Sequence, residues 1–282
     1  MAVLLGAPAC RHSEVASKPV AAPSVTFRRE WAPLGGAIDA TYRFVVPDGA
    51  AVDADYKVFV HFLDKNGGLM WTDDHDPPVP TSRWRGTVEY TRAVFIPVYP
   101  YVGDAVVQVG LYVSSTNARV QLAGEDMGGR AYRAGRLRIA PQTDGVVTLF
   151  GEGWYQPEGP PATEWRWTKK EAALLFQNRG TACALYIDAD NPFQPGQARQ
   201  VALSVAGRAV ARFDVPPGGQ VRQKIPLSLE QMGTEDPGRL LLSVDNTIVP
   251  HRQSTSNADE RDLGIRVFHL AMDPVDHSLP AK

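Results

Sequence analysis

The chain is poor in most of the features that make a protein's chemistry legible. It has two cysteines, Cys10 and Cys183, which cannot build a disulfide framework or a zinc site. Basic and acidic residues nearly cancel, 29 against 31, so no charge surplus points to nucleic acid as a partner. No stretch reaches the ~18 continuous apolar residues that a membrane-spanning helix needs. The nucleophile motif G-x-S-x-G is missing. So are the Walker, dinucleotide-binding and H-E-x-x-H patterns. Paired carboxylates could hydrolyse glycosides, but among 31 acidic residues no pair stands out without geometry.

What is abundant is punctuation. The 25 glycines and 23 prolines recur along the whole chain, which leaves little room for long helices. Hydrophobic residues make up 44%, enough for a packed interior. The length of 282 residues suits two domains of about 100–150 residues each.

Between the turn signals, apolar and polar residues alternate, which marks half-buried strands. Ile38, Ala40, Tyr42, Phe44 and Val46 share one face, with Asp39, Thr41 and Arg43 opposite. Tyr56, Val58, Val60 and Phe62 alternate with Lys57, Phe59 and His61. Further strands are predicted at Val88–Ile96, from Val106 to Val113, and near Val25, Leu69, Val120 and Leu137. Asn66-Gly67 is a strong hairpin dipeptide. In the second half, Cys183, Leu185 and Ile187 alternate with Ala184, Tyr186 and Asp188, and Gly207 turns one strand into the next. Only Ser228–Met232 reads as a helical turn.

The expected fold is therefore all-β: two antiparallel β-sandwich domains in tandem, of immunoglobulin-like or jelly-roll type. The predicted divisions are a leader and flexible tether over 1–23, a first sandwich over 24–142, a second over 146–273, and a tail over 274–282.

The start of the chain, Val3-Leu4-Leu5-Gly6-Ala7-Pro8-Ala9-Cys10, resembles a bacterial lipoprotein signal. In such a signal, small residues precede the cysteine that becomes lipidated. Two readings stay open. Either this is a signal shortened at its start and Cys10 is lipidated, or the run is a plain leader and Cys10 an ordinary thiol. The Ala-, Ser-, Pro- and Lys-rich residues 13–24 suit a tether. The first reading implies export, a lipid anchor and a place at the bacterial cell envelope.

Three segments carry a wider resemblance: VFVHFLD (Val58–Asp64), DDHDPPVPTSRW (Asp73–Trp84) and VFIPVYPYVGDAVVQVGLY (Val94–Tyr112). Together they resemble an uncharacterised β-sandwich module of bacterial envelope lipoproteins, with a looser relative appended to membrane glycosyltransferases. In the second half, GWY (Gly153–Tyr155), EWRWT (Glu164–Thr168), the Gly207 hairpin and the run Asp259–Gly264 resemble a jelly-roll module found beside bacterial glycosyltransferases and sugar-related envelope proteins. The resemblance implies a sandwich fold, an envelope setting and carbohydrate contact, without an established activity.

Candidate ligand residues are aromatic, because aromatic rings stack on the apolar faces of sugars. Trp154, Tyr155, Trp165 and Trp167 form one candidate platform, with Glu158, Glu164 and Arg166 as polar partners; core packing is the competing role. Trp71, Trp84, Tyr99 and Tyr101 form a second candidate set in loops of the first domain, where they could equally close the end of the sandwich. Asp73, Asp74 and Asp76 are the candidates for Ca²⁺. Their spacing is not that of an EF-hand, and neighbours in an extended chain point apart, so local turn bonding is the alternative. His61 reads as a satisfied structural histidine, and Cys183 as a small buried hydrophobe. Arg261, among acids, reads as the ion-pair partner that ties the last strand to its neighbour.

The function expected from these features is non-enzymatic: binding or organising glycan, or another envelope component, through aromatic-bearing loops. The alternatives are a structural or assembly protein that contacts envelope proteins and, less favoured, a polysaccharide-processing enzyme.

Overall fold

The computed structural model describes residues 18–275, apart from 100, 161, 162, 195 and 255. Cys10 and most of the tail lie outside the described residues. The first body contains strands β1 (Ala22–Phe27), β2 (Trp31–Pro33), β3 (Ala37–Val45), β4 (Lys57–Leu63), β5 (Leu69–Thr72), β6 (Thr87–Phe95), β7 (Gly103–Tyr112) and β8 (Tyr132–Ala140). The second contains β9 (Thr148–Phe150), β10 (Arg166–Trp167), β11 (Glu171–Phe176), β12 (Cys183–Asp190), β13 (Arg199–Val205), β14 (Arg208–Val215), β15 (Gln220–Leu227), β16 (Gly238–Val244) and β17 (Arg266–Pro274). Two four-residue helices, α1 (Leu229–Met232) and α2 (Pro250–Gln253), interrupt them. The protein is all-β.

Each body is a two-layer sandwich. In the first, the sheet β1-β3-β6 faces the sheet β2-β8-β7-β4-β5. The inward residues of both sheets close on one core: Ile38, Ala40, Tyr42 and Phe44 from β3 meet Val58, Val60 and Phe62 from β4 and Val107, Val109 and Leu111 from β7. The two-residue alternation of the sequence thus does what the side-chain geometry of a strand dictates. In the second body, β10-β17-β12-β15 faces β14-β13-β16-β11-β9 over a core that includes Leu185, Ile187, Leu203 and Leu242. Fully burying each such side chain contributes about 1.5–3 kcal/mol relative to exposing it.

The turns follow their chemistry. The Asp64 carboxylate accepts from the Asn66 and Gly68 amides, and Gly67 has φ 82°, so Asp64–Gly68 closes the β4–β5 hairpin. Ala206 (φ 49°) and Gly207 (φ 75°) turn β13 into β14, as two successive left-handed residues do in hairpins.

Two expectations need correction. The first sandwich is not purely antiparallel: β2 pairs with β8 in parallel, Trp31 opposite Arg138. Residues 28–30 carry the chain from one sheet across to the other, so β2 enters in the direction opposite to a hairpin. Val120 lies in no strand; its neighbour Arg119 makes one isolated bridge to Tyr112, and residues 113–131 form a long connection to β8.

The two sandwiches pack against each other through the outer faces of β3–β6 and β12–β17. The centre is apolar and small: Ala37, Ala93, Phe95, Ala184, Tyr186 and Ala271. His269 stacks on Phe95 at 4.5 Å. Charges ring this patch. Arg28 and Arg29 bind the buried Asp273 carboxylate, Arg29 at 2.6 Å. Lys224 binds Asp39, which also accepts from the Tyr186 hydroxyl at 3.2 Å. Arg222 reaches Asp188 of its own body at 2.7 Å, and Asp73 of the other at 3.4 Å. Strand β12 is buried on both faces as a result, Asp188 included.

Candidate functional site

The aromatic candidates of the second sandwich are spent on internal contacts. Trp167 is buried. Trp154 packs on the core, and its indole N–H donates to the Ala173 carbonyl at 2.8 Å. Tyr155 donates to the Asp262 carbonyl, and Lys169 and Arg261 both lie over its ring. Arg266, held by Asp190, sits 5.0 Å from the Trp165 ring centre and within 6 Å of Trp167 and Phe268. Arg166 covers Phe150 at 4.7 Å. A sugar needs a bare ring face, and here the faces carry cations. Trp165 Nε1 is buried without a partner among the described residues. Glu164 is exposed, while Glu158 pairs with Arg261. Arg261 also binds Asp259 at 2.8 Å, so it ties the closing segment to the hairpin at Glu158–Trp165 rather than to the last strand.

The loop aromatics of the first sandwich divide. Trp84 is fully buried, 4.5 Å from Phe44, with its N–H donated to the Val79 carbonyl. Trp71 is buried and stacked on Phe62 at 4.3 Å. Neither is available to a ligand, because both inward positions serve the core. Tyr101 is half-buried, with its hydroxyl between the Asp104 carbonyl and the Lys65 amide. Tyr99 is exposed, beside Val98, which is 75% exposed.

The acidic cluster does not converge either. Residues 71–76 continue as an edge segment beside β4, with Asp73 N donating to Val60 O and His75 bridged to Val58. Alternation sends Asp73 inward to Arg92 and the Tyr42 hydroxyl. Asp74 accepts from the Val60 amide, and Asp76 binds Lys57 at 3.0 Å. Asp73 faces away from Asp74 and Asp76, and those two are tied to different partners, so the three carboxylates do not converge on a calcium site. Among the described residues, no group of three or more His, Cys, Asp or Glu side chains could hold a metal.

Between these aspartates, His75 is buried against Tyr42 and Tyr90. Its Nδ1 lies 2.7 Å from the Asp73 carbonyl, which can only accept, so Nδ1 carries the proton. Nε2 therefore accepts from the Tyr90 hydroxyl at 2.7 Å. Burial, aided by the nearby Arg92 charge, holds its pKa down at about 4. Burial lifts the Cys183 thiol to about 11, as suits a buried hydrophobe.

A pocket of about 570 Å³ lies on the outer face of the five-stranded sheet, lined by Phe59, His61, Asp74, Tyr112, Asn117 and Arg119. Its size falls in the usual ligand range of ~300–1,000 Å³. Its floor is β4 and β7. Gly110 is the reason it is flat: a Cβ there would meet the Phe59 ring at 2.2 Å. The ring fills that space, 4.9 Å from His61 and 6.2 Å from Tyr112. One wall is the Asp74 edge segment. The other is the 113–131 connection, where Asn117 sits in the left-handed region (φ 55°) and Arg119 covers Phe59 at 4.2 Å while donating to the Gly129 carbonyl.

The pocket carries hydrogen-bonding capacity that the fold itself does not use. Within the described residues, no hydrogen bond engages the His61 ring nitrogens, the Tyr112 hydroxyl or the Asn117 side-chain amide. Burial lowers the His61 pKa, with Arg119 acting the same way and Asp74 opposing, so the ring is neutral at pH 7. His61 is thus not a satisfied structural histidine. The sequence placed Phe59 and His61 on the outward side of β4, and an aromatic beside a histidine on a solvent face was the available signal. Nothing in the sequence brought Asn117 and Arg119 to them.

The chain matches no protein-family model and no curated protein. Among solved structures it is similar to the secreted serine protease VesC from Vibrio cholerae, at 11% identity and TM-score 0.27, over 89% of this chain and 51% of that one. It is similar to the CBM51-2 and INT domains of Clostridium perfringens ZmpB, at 9% and 0.26, over 61% and 37%. It is also similar to the Bacteroides ovatus mixed-linkage glucan utilization locus protein SGBP-B, solved with a mixed-linkage heptasaccharide, at 10% and 0.24, over 85% and 51%. The chain spans about half the length of these structures or less. Likeness at this level carries no argument about function.

Proposed function

We propose that this chain is a non-enzymatic glycan-binding protein and that its binding site is the pocket around His61. The observation that carries this reading is the set of unpartnered polar groups, His61, Tyr112 and Asn117, around one concavity. Sugar hydroxyls both donate and accept, so they suit a neutral imidazole, a phenol and an amide, which do the same. Asp74 adds an acceptor and Arg119 a donor, and the two charges balance. Tyr112 supplies apolar surface, and the buried Phe59 ring backs the floor beneath Arg119. The lining contains a single carboxylate and no serine or cysteine, so neither a carboxylate pair nor a nucleophile–base pair is assembled there.

In the same reading the chain belongs at the bacterial envelope and is held there by lipidation of Cys10, which rests on the small-residue run before it. Loss of incorporated fatty acid in Cys10→Ala would support that anchor, and unchanged incorporation would remove it. A second reading, an assembly protein, has one observation in its favour: Val98, Tyr99 and Val102 are exposed on one loop. Pull-down from envelope extracts with Val98→Asp tests it.

The experiment for the glycan reading is an affinity gel or glycan array with the full chain. His61→Ala and Asn117→Gly, the latter compatible with the left-handed backbone there, should abolish retention while the unfolding free energy stays within about 0.5 kcal/mol of wild type. Retention of both variants at the wild-type level would sink the assignment of the pocket. No retention of the wild type by any glycan would sink the glycan reading itself.

A further inference from the structure

The edge segment that walls the pocket is also gripped by the second sandwich. Asp73, one residue before the pocket's Asp74, turns its carboxylate into the seam between the two bodies. There it accepts from the Tyr42 hydroxyl at 3.0 Å, from Arg92 at 3.1 Å and from Arg222 at 3.4 Å. Arg222 belongs to β15 of the second sandwich. Its guanidinium is itself held from both sides, by Asp188 at 2.7 Å and by the Ala93 carbonyl of β6 at 2.9 Å. The Asp73 main chain is fixed as well, its N–H on Val60 O and its carbonyl on His75 Nδ1. Asp74 follows directly, with one carboxylate oxygen on the Val60 amide at 3.0 Å and the side chain lining the pocket.

We propose that Arg222 is a positioning residue of the pocket: by holding Asp73 it fixes the course of residues 73–75 and so the place of the Asp74 carboxylate opposite His61. The second sandwich is then part of the binding site of the first. This rests on the pocket being the ligand site, and its physical basis is simple. Asp73 is a buried charge, and a buried carboxylate keeps its position only while its cations remain. Arg222 supplies one of two. Removing it leaves the carboxylate under-compensated, which drives the segment toward water against the main-chain bonds at Val60 and His75.

The test uses the full chain and two readouts. The first needs no ligand: titration of the His61 ring followed by NMR. The charged groups facing His61 are Asp74, which raises its pKa, and Arg119, which lowers it. In Arg222→Met, the withdrawal of Asp74 should drop the His61 pKa below its wild-type value, and Arg222→Lys should restore part of the difference. The second is retention on the glycan that the wild type binds. Arg222→Met should weaken it about tenfold, the size of one lost hydrogen bond to a charged group. Arg222→Lys should recover most of the affinity. Arg222→Gln, which removes the same cation with a smaller change of shape, serves if Arg222→Met does not fold. An unchanged His61 titration in these variants overturns the proposal, whatever the ligand result. A wild type that binds no glycan overturns the ligand reading, and the His61 titration still decides this one.

Discussion

Around Trp165, Tyr155 and Phe150 the ring faces carry guanidinium or ammonium groups, as Phe59 does under Arg119, whereas beside Phe59 an imidazole, a phenol and an amide have no hydrogen-bond partner among the described residues. Both regions are rich in aromatic and charged side chains. In the second sandwich those residues satisfy one another: Arg266 lies among three rings and is neutralised by Asp190, and Arg261 joins Glu158 and Asp259. In the first sandwich the charges of the pocket are tied at one atom each and left open at others. A binding surface is marked less by which residues it contains than by capacity the fold has not used. Accessible polar groups bond to water, so such a cluster can exchange those bonds for bonds to a ligand.

The sharpest contrast is between aromatics of the core and those of the surface. Trp84→Ala should cost about 3–5 kcal/mol of unfolding free energy, because it empties a fully buried site against Phe44 and frees the Val79 carbonyl. Denaturant titration reads this directly, and a cost under 1 kcal/mol would mean that Trp84 is not core.

Acid should act next. His75 is neutral in the fold, with its pKa held near 4, against about 6.5 in an unfolded chain. Its contribution is complete above pH 6.5, declines as the unfolded chain takes up protons, and is gone below pH 4. The difference amounts to about 3 kcal/mol. Wild type should therefore lose stability relative to His75→Gln between pH 6.5 and 4, and parallel pH curves for the two would contradict the buried neutral ring.

The comparison of the two aromatic regions is tested by Trp165→Ala against His61→Ala. Trp165→Ala should lower stability by about 1–3 kcal/mol and leave glycan retention unchanged. His61→Ala should do the reverse. If both variants lose retention equally, the distinction between aromatics satisfied inside the fold and the unpartnered polar groups around His61 fails. At the small end, Arg208→Ala removes an exposed pair with Glu230, and the unfolding midpoint should not move within error.

Much of the fold was legible in the sequence, and less of the site. The alternation at Ile38–Val46 named the core face of β3 correctly, and all five inward residues are buried. The same alternation put Phe59 and His61 on the outward face of β4, but their role depended on what the distant 113–131 connection laid beside them. The tryptophans misled because ring chemistry is the same in a core, under a guanidinium or open to solvent. Asp73, Asp74 and Asp76 looked like one cluster, and the strand geometry of their own segment dispersed them.

By itself the sequence determined that strands would form, where they would turn and which side of each would face an interior, because side-chain direction follows from a local two-residue repeat. Which outer faces stay open was decided only by the tertiary structure. Tyr186 and Asp188 alternate against Leu185 and Ile187 as solvent-facing residues should, yet both are buried where the second sandwich meets the first. Outer faces become seams or pockets through residues far apart in the chain, such as Arg222 with Asp73, or Arg119 with Phe59. No local pattern encodes such a meeting, because it is fixed by how two finished sheets fit together.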